Sequence, residues 1–347
     1  MVRAVVWLSL TSGKAILKLT QADYAEHQLS SLVARHGSPG AVNGAVFNAL
    51  GAKIRGRSKL PEGRRIIVFS PHPDDDVISM GGILHKLAQN ENEITVAYMT
   101  SGNIAVFDHD VRRYVDLLQR LARDRHLGAI EVDRLAETVT TFFAHKRPGE
   151  VDIPEIQDLK RVIREAEAVS GLETVGLAAT NARFLNLPFY QTGKVRKDPI
   201  GDADVAIVKD LLTDLAPELV FVAGDLSDPH GTHRMCKEAI DRALASLWPG
   251  TGTAGGAERP EIWLYRGAWQ EWPITEATWL VPMSQEELRL KIQAIFKHQS
   301  QKDAAPFPGT DDREFWQRVE ARNKETAAIL NRLGLAEYFA MEAYVVG

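Results

Sequence analysis

The stretch Ser70-Pro71-His72-Pro73-Asp74-Asp75-Asp76 places one imidazole and three carboxylates within five positions. Prolines at 71 and 73 restrict the backbone on either side of the histidine. Acidic groups gathered on a short rigid turn are costly to bury unless a cation compensates them. The chemistry this predicts is a metal site with a spare carboxylate beside it. A second group stands at Asp225, Asp228, His230 and His233. Two imidazoles and a carboxylate around an open fourth position form a recurring catalytic zinc arrangement. His72 and Asp75, three apart on a turn, can chelate one ion, and His233 can supply the third ligand if the two loops converge.

Convergence depends on the strands in front of the loops. Residues 65–69 and 219–223 are apolar runs suited to buried parallel strands. A helix is expected over 77–89, where Gly81 and Gly82 allow close approach to the sheet. A strand over 93–99 ends in Thr100-Ser101-Gly102-Asn103, a further loop on the same edge. Residues 106–170 read as a helical insertion, longer than a crossover needs, that covers the site or builds an oligomer contact. A short strand at 184–187, a helix over 202–215 and another running to Leu247 follow. Strands at 261–266, 278–281 and 337–346 and helices at 284–298 and 313–333 complete the pattern. The alternation predicts an α/β fold, a three-layer α/β/α sandwich with a mostly parallel, Rossmann-like sheet. Ligands of such sheets bind outside the carboxyl ends of the strands. Residues 1–63 read as an N-terminal extension or linker. Within it a helix is expected over 21–36, and Lys53, Arg55, Arg57, Lys59, Arg64 and Arg65 form a basic stretch, either a solvated linker or a docking surface. Residues 64–347 then form the main domain.

Composition narrows the function classes. The chain has 347 residues, 45% hydrophobic and 25% charged, and a net charge of −5, which argues against nucleic acid as a partner. No apolar run approaches the ~20 residues of a membrane span. The short apolar run at residues 2–10 is followed by Lys14 and Lys18, unlike an export signal. The single cysteine, Cys236, suits a reducing compartment, so a cytoplasmic location is expected.

Pro71-His72-Pro73-Asp74-Asp75-Asp76 resembles the motif of the LmbE-like/PIG-L de-N-acetylases, usually His-Pro-Asp-Asp-Glu. Asp228-Pro229-His230-Gly231-Thr232-His233 resembles their second motif, and His298-Gln299-Ser300-Gln301 a third. The departures are Asp76 in place of Glu and Gly231-Thr232 between the histidines. The resemblance spans roughly residues 65–305. Stretches including Trp7-Leu8-Ser9, Leu17-Lys18-Leu19-Thr20 and residues 184–193 are similar to the C-terminal half of long bacterial proteins. Those proteins carry a glucosamine-6-phosphate deaminase-like domain first and a de-N-acetylase domain second.

The resemblance implies a zinc-dependent N-deacetylase, with His72, Asp75 and His233 as ligands and Asp74 as general base. It implies that His230 polarises the carbonyl or protonates the departing amine. Asp76 and Asp228 are read as supports for these groups or as loop caps. The ligand set also suits iron(II) or cobalt. The implied substrate is a small amino sugar, with N-acetylglucosamine 6-phosphate inferred from the fused deaminase of the relatives, which also suggests a functional link to such a deaminase. Arg183, Lys194, Arg196 and Lys197 are then candidate phosphate contacts. Ser101 and Asn103 could bond sugar hydroxyls, and Trp269 and Trp272 could stack on a sugar face or serve a subunit contact, a homo-oligomer being one arrangement the chain allows. Another amino-sugar conjugate, a chito-oligosaccharide, or a non-catalytic metal-binding module serving a deaminase are the competing readings.

Overall fold

Alternation along the central strands decides the layering. Ile66 and Val68 face one apolar cluster and Ile67 and Phe69 another, and Leu219 and Phe221 alternate with Val220 and Val222 in the same way. A strand buried on both faces needs a helical layer on each side. The computed structural model describes residues 1–125, 128–194, 196–224, 226, 231–249, 258–267, 270–301 and 313–347.

The chain opens with α1 (Val2–Ser12), α2 (Gln21–Glu26), α3 (Ser30–His36) and α4 (Pro39–Gly51), followed by β1 (Arg65–Ser70), α5 (Asp75–Ala88) and β2 (Glu93–Tyr98). Then come α6 (Asp108–Arg125), α7 (Ala129–His145), α8 (Pro154–Val175), β3 (Ala182–Phe184), α9 (Asp202–Leu215), β4 (Leu219–Ala223) and α10 (Thr232–Leu247). The chain closes with β5 (Glu261–Tyr265), β6 (Trp279–Met283), α11 (Gln285–Ile295), α12 (Phe315–Arg332) and β7 (Ala340–Val346). Among the described residues the strands form one sheet in the order β3-β2-β1-β4-β5-β7-β6. The first five run parallel, and β7 pairs antiparallel with both β5 and β6. Helices α5, α8 and α11 cover one face, and α9 and α10 the other. The expected three-layer, mostly parallel architecture holds.

The segment over 106–170 divides in two. Helix α8 packs Ala168, Leu172 and Val175 into the core of one sheet face, as a crossover helix does, whereas α6 and α7 form a hairpin whose small core is completed by Ile156 and Ile163 of α8. The helix expected over 21–36 is two helices, because the backbone turns left-handed at Gln28 (φ 58°) between them.

Residues 1–63 pack as a helical layer. Val5, Leu8, Ile16, Tyr24, Val42, Val46 and Leu50 share one apolar cluster with Leu280, Leu330, Leu333, Met341 and Ala343 from the far end of the chain. Each such buried aliphatic side chain contributes about 1.5–3 kcal/mol relative to exposure. Much of the basic stretch is engaged within the fold. The Arg55 guanidinium lies 3.7 Å over the Trp279 ring, Lys53 donates to the Ile274 carbonyl at 2.9 Å, and Arg64 pairs with Glu218 at 2.8 Å.

Behind β1 and α5 lies a buried polar network. Lys291 and Glu342, both fully buried, are 2.7 Å apart. Glu342 also accepts the amides of Gly82 (3.0 Å) and Ile83 (2.8 Å) and the Tyr344 hydroxyl (2.9 Å). A Cβ at position 82 would stand 2.3 Å from the Met283 sulfur, so only glycine lets α5 lie this close to β6 and β7. Asn323 joins Lys291 to Glu271, and Glu271 pairs with Arg322 at 3.3 Å. Arg322 donates to the Ile78 carbonyl of α5 at 2.7 Å and to the Gly267 carbonyl after β5. It thereby fastens the helix that carries Asp75 to the backbone that lies beside His233.

Candidate metal centre

β1 lies between β2 and β4, with Ile66, Ile67 and Val68 in register with Leu219, Val220 and Phe221. The chain leaves β1 to one side and β4 to the other, so the loops after these strands open around a crevice at their carboxyl ends. The 71–74 turn ends at the start of α5, and Asp75 and Asp76 fall in that helix's first turn, where its dipole favours negative charge. His233 sits in the first turn of α10.

Three of the predicted residues meet at one point. Asp75 Oδ2 lies 3.1 Å from His72 Nδ1 and 3.2 Å from His233 Nε2, and all three candidate ligand atoms lie within 4.8 Å of one another. Four ligands at ~2.0 Å around a tetrahedral ion stand about 3.3 Å apart, so both spacings suit first-row metal coordination. The His72 amide also donates to Asp75 Oδ2 at 3.0 Å, locking the turn. Burial alone would raise the Asp75 carboxyl, but the His233 and His72 rings hold it well below the usual carboxylate range. The donor set of two imidazoles and an ionised carboxylate fits zinc or a similar divalent ion.

Asp74 is the spare carboxylate. It occupies the N-cap position of α5 without making a side-chain cap bond. Its Oδ2 lies 3.2 Å from Arg164 Nη2, which also donates to the Pro73 carbonyl at 3.0 Å. Arg164 is buried at 1% exposure, so this ion pair is shielded from water. Asp76 points into the core. The Tyr98 hydroxyl donates to it at 2.9 Å, its amide donates to Ser70 Oγ at 3.1 Å, and burial pushes its carboxyl up to about 7. It supports the turn from behind.

The remaining predicted residues are dispersed. Ser101 and Asn103 are buried on the loop after β2, on either side of Gly102. Gly102 has φ +62°, and a Cβ there would meet Arg164 and Pro73 at 2.9 Å, so the glycine lets this loop close on the Asp74 support. Arg183 is exposed and donates to the Thr180 and Ala182 carbonyls of its own loop. Lys194 and Arg196 are exposed. Lys197 lies 4.4 Å over the Tyr190 ring, and burial pushes its ammonium down to about 8. Trp272 donates to the Leu264 carbonyl and packs at the edge of an apolar cluster. Asp225, Asp228, His230 and Trp269 lie outside the described residues.

Sequence reasoning missed the helix face that holds the site. Arg164, Glu167 and Gly171 of α8 recur at helical spacing. Glu167 accepts the Ser300 amide and hydroxyl, both at 2.7 Å, and Gly171 makes room for His298. His298 is buried, which pushes its imidazole down to about 4. With Asp74, Gln301, Phe296, Phe315 and Trp316 it lines a narrow cleft of about 20 Å³. Tyr190 was missed too; its ring stands edge-on to His72, with centroids 6.2 Å apart.

Comparison with known proteins agrees with this geometry. The PIG-L family, described as GlcNAc-PI de-N-acetylase, matches residues 67–244. A glucosamine-6-phosphate deaminase-like protein of Bacteroides thetaiotaomicron is 45% identical over 99% of this chain and 54% of its own length. A diacetylchitobiose deacetylase of Thermococcus kodakarensis is 24% identical over 31% of this chain and 48% of its own. The chain thus spans about half the length of the curated relatives it matches. The solved structure of N,N'-diacetylchitobiose deacetylase from Pyrococcus horikoshii shares the fold, with a TM-score of 0.51 and 17% identity over 82% of this chain and 84% of that one. No helix among the described residues is long and apolar enough to cross a membrane. The family match, over a segment that holds His72, Asp75 and His233 together, establishes that the chain belongs to the PIG-L family of metal-dependent de-N-acetylases.

Proposed function

We propose that this chain uses zinc to remove the N-acetyl group of an amino sugar, and that the sugar is N-acetylglucosamine 6-phosphate. The observation that carries the reading is the meeting of His72, Asp75 and His233 beside a carboxylate, Asp74, that neither caps its helix nor belongs to the ligand cluster. Zinc held by the three ligands would supply an acidified water and a Lewis acid for the amide carbonyl. Asp74 takes the water's proton on a carboxylate oxygen, and Arg164 keeps that carboxylate aimed at the crevice. His230 protonates the leaving nitrogen, and Asp228 orients an imidazole. Ser101 and Asn103, buried on the loop beside Arg164, would reach the sugar hydroxyls only if this loop opens on binding.

Two observations support the phosphate. Lys194, Arg196 and Lys197 share the loop that carries Tyr190 up to His72. The Bacteroides relative is a deaminase-like protein, and glucosamine 6-phosphate, the product of this deacetylation, is the substrate its name describes.

The test is amine release from N-acetylglucosamine 6-phosphate, N-acetylglucosamine and N,N'-diacetylchitobiose by zinc-loaded protein and by Asp74→Asn. The expected result is turnover of the phosphorylated sugar alone, reduced roughly 10²–10⁴-fold in the variant. Turnover of the disaccharide instead would replace the substrate. Full activity of Asp74→Asn would remove Asp74 from the chemistry.

A further inference from the structure

The α6–α7 hairpin packs its inner seam against Ile156 and Ile163 of α8, and its outer face leaves several large apolar side chains exposed. Gln119 and Arg123 of α6 turn to α7, where both reach Asp133 at 2.8 Å. Val111, Val115 and Ala122 fill the hairpin's inner seam. Leu117, Leu118 and Leu121 remain 51%, 42% and 48% exposed. At about 100° per residue, Leu117 and Leu121 lie roughly 40° apart, on the side of α6 away from Gln119 and Arg123. Ile130, 72% exposed, adds a further apolar side chain in the first turn of α7.

The charges beside this stripe say what covers it. Arg113 and Asp124 stand on the same flank of α6, roughly 20° apart in projection and near opposite ends of the leucines. Arg113 is held on that flank by Asp110 at 2.9 Å. In a two-fold contact, residue i meets j and j meets i. If two copies of α6 pack antiparallel, the register that sets Leu117 against Leu121 of the second copy brings Arg113 to within one residue of the opposite Asp124. Symmetry makes each contact twice. A parallel pairing would put Arg113 and the opposite Asp124 about 16 Å apart along the axis, too far to meet. We propose that the exposed face of α6 docks a second copy of this chain in this antiparallel arrangement.

The 18-residue helix is about 27 Å long and its stripe roughly 10 Å wide. That is well under the ~800 Å² per partner of a standard interface, so the contact is weak and the dimer forms only at high protein concentration. Sedimentation equilibrium from about 1 to 200 µM tests the proposal on the full chain. Wild type should pass from monomer to dimer over this range. Leu117→Glu/Leu121→Glu should stay monomeric with an unchanged circular dichroism spectrum. Arg113→Glu and Asp124→Arg should each weaken the dimer about tenfold, and Arg113→Glu/Asp124→Arg should restore it. A wild type that stays monomeric at 200 µM overturns the proposal, as does a dimer that none of these substitutions weakens. Recovery in the double reversal cannot come from loss of fold.

Discussion

Replacing Lys291 by Met should leave Glu342 charged and unpaired in the core, and the cost can be worked from its surroundings. The lysine is fully buried and 2.7 Å from the carboxylate. Removing one partner of such a pair typically costs about 3–5 kcal/mol, because the other charge stays desolvated. For 347 residues the unfolding entropy is about 0.7 kcal/mol/K, so 4 kcal/mol lowers Tm by roughly 5–6 °C. Calorimetry of wild type, Lys291→Met and Lys291→Met/Glu342→Gln at pH 8 is the assay. The double variant should recover at least half of the loss, since glutamine carries no charge and still accepts the Gly82 amide. A double variant no better than the single would refute the electrostatic account and leave the lysine stem's packing as the cause.

Two further predictions concern the site. Arg164→Lys keeps a charge near Asp74 but, being shorter, withdraws the nitrogen (Nη2 in arginine) that holds both Asp74 and the Pro73 carbonyl, contacts worth about 1.5–3 kcal/mol when charge-assisted. kcat should fall roughly 10–150-fold with zinc content and KM unchanged; loss of zinc in proportion would show that Arg164 acts on the ligands instead. Folded His298 stays neutral down to about 4, whereas in the unfolded chain it protonates near 6.5. The unfolded state therefore binds the extra proton between these values, and stability present above pH 6.5 is lost as pH falls. Urea titrations at pH 7.5 and 4.5 should differ by about 2.5 kcal/mol more for wild type than for His298→Gln, and parallel losses would contradict the assignment.

The parts of the fold legible in the sequence are those where composition leaves one solution. β1 and β4 are short apolar runs that only a sheet buried on both faces accommodates, and their loops carry the residues with no bland use. The expectation that His72, Asp75 and His233 converge needed only that these strands be neighbours, and they are. Arg164 and Glu167 were not legible, because a charged residue on an amphipathic helix looks alike whether it meets water or a buried carboxylate. Their partners, Asp74 and Ser300, lie about 90 and 130 residues away. The basic stretch misled for the same reason: Trp279, Ile274 and Glu218 are invisible to a local reading of Arg55, Lys53 and Arg64. The break at Gln28 carried no glycine or proline to announce it.

The apolar cluster under the first four helices joins the two ends of the chain, and this bears on how the protein is made. Val5, Leu8, Tyr24 and Val46 leave the ribosome well before Leu330, Leu333 and Met341, which complete their burial from α12, its end and β7. Some 260 residues separate α4 from α12. At ~5–20 residues per second this is roughly 15–50 s of synthesis during which the first helices lack their native cover. Helices α1 to α4 are therefore made well ahead of their cover and are among the last elements to reach their final packing. Any arrest of elongation before α12 leaves a nascent chain with that apolar surface open to aggregation or to a holding chaperone.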